Sequence, residues 1–168
     1  MAQIRMRGFA SFLDLAGYLK DDFVLIQKAA GNVDSVIRYA KKNYPAKSIN
    51  IIAHSLGTLI VSLLSPQGIK KTIFTSIINS NTKFVSMGKD FWKTLENIDL
   101  LEYAEELGNK TNLIIFKPKQ DDVLENKYFD EYERIKNIKY VKVDGEHNFK
   151  DPARRKILFT LIRNFLSS

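Results

Sequence analysis

The chain has 168 residues, 26 Lys plus Arg against 19 Asp plus Glu, a formal net charge of +7, and 45% hydrophobic residues. That balance suits one globular domain with a real core and excludes a disordered chain, a collagen repeat and a coiled coil. The absence of cysteine excludes a disulfide scaffold, a thiolate nucleophile and any Cys-ligated zinc or iron–sulfur site.

In chain order, the first legible element is a helix. Ile26, Ala30, Val33, Ile37, Ala40 and Tyr44 recur every three or four residues and form one apolar face that ends before Pro45. Residues 48–53 are a short β-branched run and predict a strand. A tight turn, His54-Ser55-Leu56-Gly57, follows at once, and residues 58–64 are apolar at helical length, stopped by Pro66. Residues 73–78 predict a second buried strand, closed by Asn79-Ser80-Asn81. Residues 87–108 read as helix, with Gly108 as the C-cap. Residues 113–116 predict a third strand, and residues 140–143, closed by Asp144-Gly145, a fourth. The last helix takes Asp151 as N-cap and Pro152 as its first residue. It ends near Phe165 and is expected to bury Ile157, Leu158, Leu161, Ile162 and Phe165. Continuous apolar strands alternating with helices argue for an α/β fold: a mostly parallel sheet with helices on both faces. No repeat, low-complexity tract or linker divides residues 1–168, which read as a single domain.

The positive charge is unevenly spread, +6 over residues 1–80 and +1 over residues 81–168. Lys41-Lys42, Lys70-Lys71 and Arg154-Arg155-Lys156 are short groups at element edges and read as solvated surface. No zinc-finger, RRM or KH pattern accompanies them, so no nucleic-acid partner is expected. No apolar run approaches the roughly 18 residues of a membrane span. The first 14 residues lack the apolar core of a secretory signal. The expectation is a cytoplasmic protein without stable membrane insertion.

Ala53-His54-Ser55-Leu56-Gly57 sits between a predicted strand and a predicted helix. A serine on so abrupt a turn is pushed out of the surface with a strained backbone. Strand and helix nearly touch there, so the positions two before and two after Ser55 are expected to be small, as Ala53 and Gly57 are. The Leu56 N–H then points into the site as an oxyanion donor. A serine hydroxyl needs a base. Of the two histidines, His54 is fixed beside the nucleophile and points elsewhere. His147 lies in Gly145-Glu146-His147-Asn148-Phe149, after the last strand. Gln120-Asp121-Asp122-Val123, after the third strand, supplies an acid. The order along the chain is Ser, Asp, His.

These segments resemble the α/β-hydrolase superfamily, and the resemblance runs over essentially the whole chain. It implies Ser55 as nucleophile, Asp121 as the acid, with Asp122 as the alternative, and His147 as general base. Asp121 is preferred because Val123 and Leu124 then match the apolar tail that follows the family's acid. The implied protein is a cofactor-free serine hydrolase, with no metal. Its expected reaction is cleavage of carboxylic esters carrying small or medium acyl groups; thioesterase, lipase and peptidase chemistry use the same residues.

The resemblance is imperfect before Ser55, where members of the superfamily usually carry more strands and a loop that supplies a second oxyanion donor. In one alignment Arg5-Met6-Arg7-Gly8-Phe9-Ala10-Ser11 precedes the helix leading to the elbow, and the oxyanion loop is missing. Unbroken helical spacing through residues 23–44, save at Gly31, favours it. In the other, residues 7–10 are that loop, Phe9 N–H is the donor, and Phe23-Val24-Leu25-Ile26-Gln27 is the next strand. A shortened hydrolase would be weak or non-catalytic, and a bare sheet edge would invite pairing of two copies. Residues 82–109 fall where the superfamily places a lid. Phe84, Met87, Phe91 and Trp92 would line an acyl pocket there, or simply pack a helix on the sheet.

Overall fold

Four strands rich in Ile, Val and Phe pair in sequence order into one parallel sheet. They are β1 (Ile49–His54), β2 (Ile69–Thr75), β3 (Asn112–Pro118) and β4 (Ile138–Val143). Between and around them run α1 (Asp22–Asn43), α2 (Leu56–Ser62), α3 (Leu100–Lys110) and α4 (Pro152–Ser167), with a 3₁₀ turn at Tyr132–Arg134. The computed structural model describes residues 22–45, 47–64, 68–78, 100–124 and 131–168, and side chains from residue 29 onward.

Successive strand residues face opposite ways, so the sheet feeds two cores. Ala53, Phe74 and Ile115 share one register row and meet α1 through Ala30 and Ile37, α2 through Leu59, and α3 through Ala104 and Leu107. The adjacent row places Ile73 beside Ile114; with Phe116 and Val143 it packs on Leu158, Ile162 and Phe165 of α4. The result is an α/β fold with helices on both faces of a parallel sheet. Asp151 caps α4 by accepting the Arg154 N–H at 2.9 Å. At the far end of α4, Lys71 of β2 donates to Phe165 O at 2.6 Å and Leu166 O at 3.3 Å. Those carbonyls lack intrahelical donors, so a buried ammonium suits them.

Several sequence expectations move. β2 starts at Ile69, not at 73, because Lys71 turns inward to α4 and does not interrupt the strand, and it ends at Thr75, not at 78, where Ser76 takes φ 52°. Residues 23–27, a strand in one alignment, lie in α1, whose helical period continues through them. Gly108 does not cap α3, which continues to Lys110. A Cβ at Gly108 would lie 3.1 Å from both Asn137 O and Ile138 Cγ1, so this glycine admits the start of β4. Ile157 is 59% exposed, because the face of α4 used for packing runs through Leu158, Ile162 and Phe165. Pro66, residues 79–81 and the 87–99 part of the expected helix lie outside the described residues. Among the described residues no helix is long and apolar enough to cross a membrane.

Candidate active site

β1 ends at His54 and α2 begins at Leu56, so Ser55 alone makes the turn. It holds φ 51° and ψ −124°. A residue with a Cβ adopts such a conformation at a cost of about 1–3 kcal/mol, and only when its surroundings enforce it. Here they do. Ser55 N donates to Thr75 O at 3.0 Å, and the Thr58 hydroxyl donates to Ser55 O at 2.6 Å while accepting the Ile78 N–H at 3.2 Å. Both sides of the turn are thereby tied to β2 and the segment after it. Leu56 is the first residue of α2, so its N–H lies in the first turn, where no earlier helical carbonyl can reach it. Gly57 is less constrained than expected. A Cβ there would meet Ala53 Cβ at 3.9 Å, an ordinary contact, so the approach of strand and helix leaves room for an alanine.

Loops from the other strand ends bring the remaining groups. His147 Nε2 lies 2.8 Å from Ser55 Oγ. His147 Nδ1 lies 3.0 Å from Asp121 Oδ1 and 3.1 Å from Oδ2. The His147 and Asp121 side chains are 3% and 0% exposed. Asp121 Oδ1 also accepts the Val123 N–H at 3.0 Å and the Leu124 N–H at 2.9 Å, while Lys117 Nζ donates to Oδ2 at 3.1 Å. Burial by itself pushes the Asp121 carboxyl up. The His147 hydrogen bond and charge, the Lys117 charge and the Leu124 N–H outweigh it and hold the group at about 2. Asp122 takes a different place: its Oδ1 accepts the His147 backbone N–H at 3.1 Å. The Ser76 hydroxyl donates to His147 O at 2.7 Å, and Ser76 itself sits at φ 52°. Asp122 and Ser76 thus fix the main chain of His147, while Asp121 fixes its ring.

His54 is closer to these groups than its sequence position implies. Its ring centroid is 5.3 Å from that of His147. Nδ1 pairs with Thr75 Oγ1 at 3.0 Å and Nε2 with Asn148 Oδ1 at 3.4 Å. The residue remains exposed overall, but packing over part of its ring, and then the neighbouring His147, lowers its pKa below the ordinary histidine value, against a smaller upward pull from Asn148 and Asp121.

Neither Lys117 nor Ser76 belongs to a motif of the sequence. Lys117 carried a faint signal: a lysine closing an apolar strand four residues before an aspartate. Phe9, Phe84, Met87, Phe91 and Trp92 lie outside the described residues. Among the described residues no group of three His, Asp or Glu side chains converges to hold a metal ion.

No protein-family model matches the sequence, and no curated protein matches it. Solved structures do match in fold. An esterase domain from a Rhodothermus marinus protein aligns with a TM-score of 0.60 at 13% identity, over 81% of this chain and 67% of that one. An esterase from Pyrococcus furiosus aligns in two crystal forms. One gives a TM-score of 0.60 at 20% identity, over 81% of this chain and 60% of the other. The second gives 0.57 at 16% identity, over 84% and 63%. The chain therefore spans between 60% and 67% of the length of these esterases. At such identities the likeness is one of fold, an esterase-like α/β architecture.

Proposed function

We propose that the protein is a serine hydrolase that cleaves carboxylic esters of small or medium acyl groups through an acyl-enzyme. The observation that carries this reading is the 2.8 Å contact between Ser55 Oγ and His147 Nε2, with Asp121 on the opposite ring nitrogen. The esterase-like fold supports it, since a fold alone names no reaction but hosts the site.

Ser55 Oγ attacks the acyl carbonyl as its proton passes to His147 Nε2. Asp121 keeps the other ring N–H pointed inward and stabilises the imidazolium that forms. The Leu56 N–H donates to the tetrahedral oxyanion, a contact worth roughly 10²–10³ in rate where such donors have been removed. His147 returns the proton to the leaving alkoxide. It then takes a proton from water, whose hydroxide attacks the acyl-enzyme, and the proton goes back to Ser55 as the acid departs.

A fluorophosphonate probe tests the assignment. The wild type should be labelled and Ser55→Ala should not; equal labelling of both rejects Ser55. A p-nitrophenyl ester series, with a thioester and a peptide beside it, should show fastest turnover of short or medium acyl esters. A folded wild type that is neither labelled nor active on any of them sinks the reading in favour of a non-catalytic protein of this fold.

A further inference from the structure

Lys117 stands at the C-terminal end of β3, and alternation along the strand places it on the face of Leu113 and Ile115. Its side chain is 3% exposed and Nζ reaches Asp121 Oδ2 at 3.1 Å. An apolar residue would serve packing better there. A buried ion pair contributes little to stability compared with well-packed hydrophobic residues of similar volume. The Asp121 carboxylate is also already served by the imidazole and by two backbone amides. A buried cation in addition to these changes the electrostatics of the cluster more than its packing.

We propose that Lys117 is a positioning residue of this site: its ammonium fixes the Asp121 carboxylate under the His147 ring and, by sharing that negative charge, disfavours a protonated resting imidazole. The inference rests on the serine-hydrolase reading. His147 faces charged or titratable groups from several elements. Asp121 lies on Nδ1, Asp122 on its backbone N–H, and His54, at the end of β1, has its ring centroid 5.3 Å away. Without Lys117, Asp121 would hold an imidazolium as an undivided ion pair. With it, the Asp121 charge is divided between the ammonium and the ring. Burial lowers the pKa of Lys117, and the charge of Asp121 pulls it back up, so the carboxylate helps keep the cation charged.

The test is the pH profile of fluorophosphonate labelling for wild type, Lys117→Gln, Lys117→Met and Lys117→Arg. In parallel the His147 ring is titrated by NMR in a Ser55→Ala background, with and without Lys117→Gln. The neutral variants should move the acid limb and the ring titration up by about one to two pH units. Lys117→Arg should restore the wild-type limb. A uniform loss of rate with both midpoints unmoved would mean a merely structural lysine and would overturn the inference. So would an arginine variant that behaves like the glutamine one. An unlabelled wild type whose ring titration still shifts in Lys117→Gln sinks the hydrolase reading and leaves the coupling intact. Should the neutral variants fail to fold, the Lys117 ammonium is followed directly in the wild type by heteronuclear NMR. It should stay protonated throughout the working range, and a neutral amine there overturns the proposal.

Discussion

Gln120 and Gly145 exchange two hydrogen bonds across the ends of β3 and β4. Gln120 N donates to Gly145 O at 3.1 Å, and Gly145 N donates to Gln120 Oε1 at 2.7 Å. The clasp joins the turn bearing Asp121 to the loop bearing His147. Gly145 holds φ 153°, and a Cβ there would lie 2.6 Å from the ring of Phe149, itself 3% exposed and unable to give way. Gly145→Ala should therefore lose about 2–4 kcal/mol in urea unfolding, combining overpacking with backbone strain. Gln120→Ala should lose about 1 kcal/mol. A Gly145→Ala midpoint equal to wild type would contradict the geometry.

Ser55 offers a second stability test. Its φ of 51° and ψ of −124° suit glycine far better than serine or alanine. Ser55→Gly should unfold at higher urea than Ser55→Ala, by about 1 kcal/mol or more, while both lose labelling. Equal midpoints for the two variants would mean that the turn stores no strain.

Gly57 leads to a less intuitive expectation. It sits in α2 with 3.9 Å of clearance between a built Cβ and Ala53. Gly57→Ala should be neutral or stabilising by about 0.5–1 kcal/mol, through helix propensity. Gly57→Leu should destabilise by steric conflict with β1. Thermal melts separate the two, and a severely destabilised alanine variant would refute the clearance.

Acid should weaken the fold in two stages. The His54 pKa lies below 6.5, so the unfolded chain takes up that proton before the folded one, and stability begins to fall below pH 6.5. Asp121 is held at about 2 against an ordinary 3.8. Its stabilisation is complete above roughly pH 4 and is lost as pH drops toward about 2. In both cases the folded state binds fewer protons, so unfolding free energy rises with pH. His54→Gln should erase the first stage and keep the second, and Asp121→Asn should erase the second. Urea midpoints that stay flat from neutral pH to about pH 3 would refute both assignments.

Ser55, Asp121 and His147 are legible in the sequence because each lies within a few residues of the end of an apolar, β-branched or aromatic run. That signal is local, and parallel pairing carries all the strand ends to one rim. What is not legible depends on distant partners. Lys71 looks like surface, yet its place inside β2 rests on carbonyls of α4 94 and 95 residues away. Reading it as exposed pushes the expected start of β2 to Ile73. Lys117 likewise reads as the polar end of an apolar strand until Asp121 folds back over it. Ile157 and Phe159 belong to an apolar band on α4 wider than the face it packs, so the period alone cannot tell which flank stays outside.

The four strands deliver their parts from the same end: Ser55 after β1, Ser76 after β2, Asp121 after β3 and His147 after β4. Ser55 and His147 are 92 residues apart, and the strands that carry them stand at opposite ends of the described four-strand order. No two neighbouring strands can assemble the whole group. The hydroxyl meets the imidazole only once the last gap between them is zipped. A refolding chain therefore completes this group in one closing event, and a half-formed sheet leaves it open no matter how well its pairs are made.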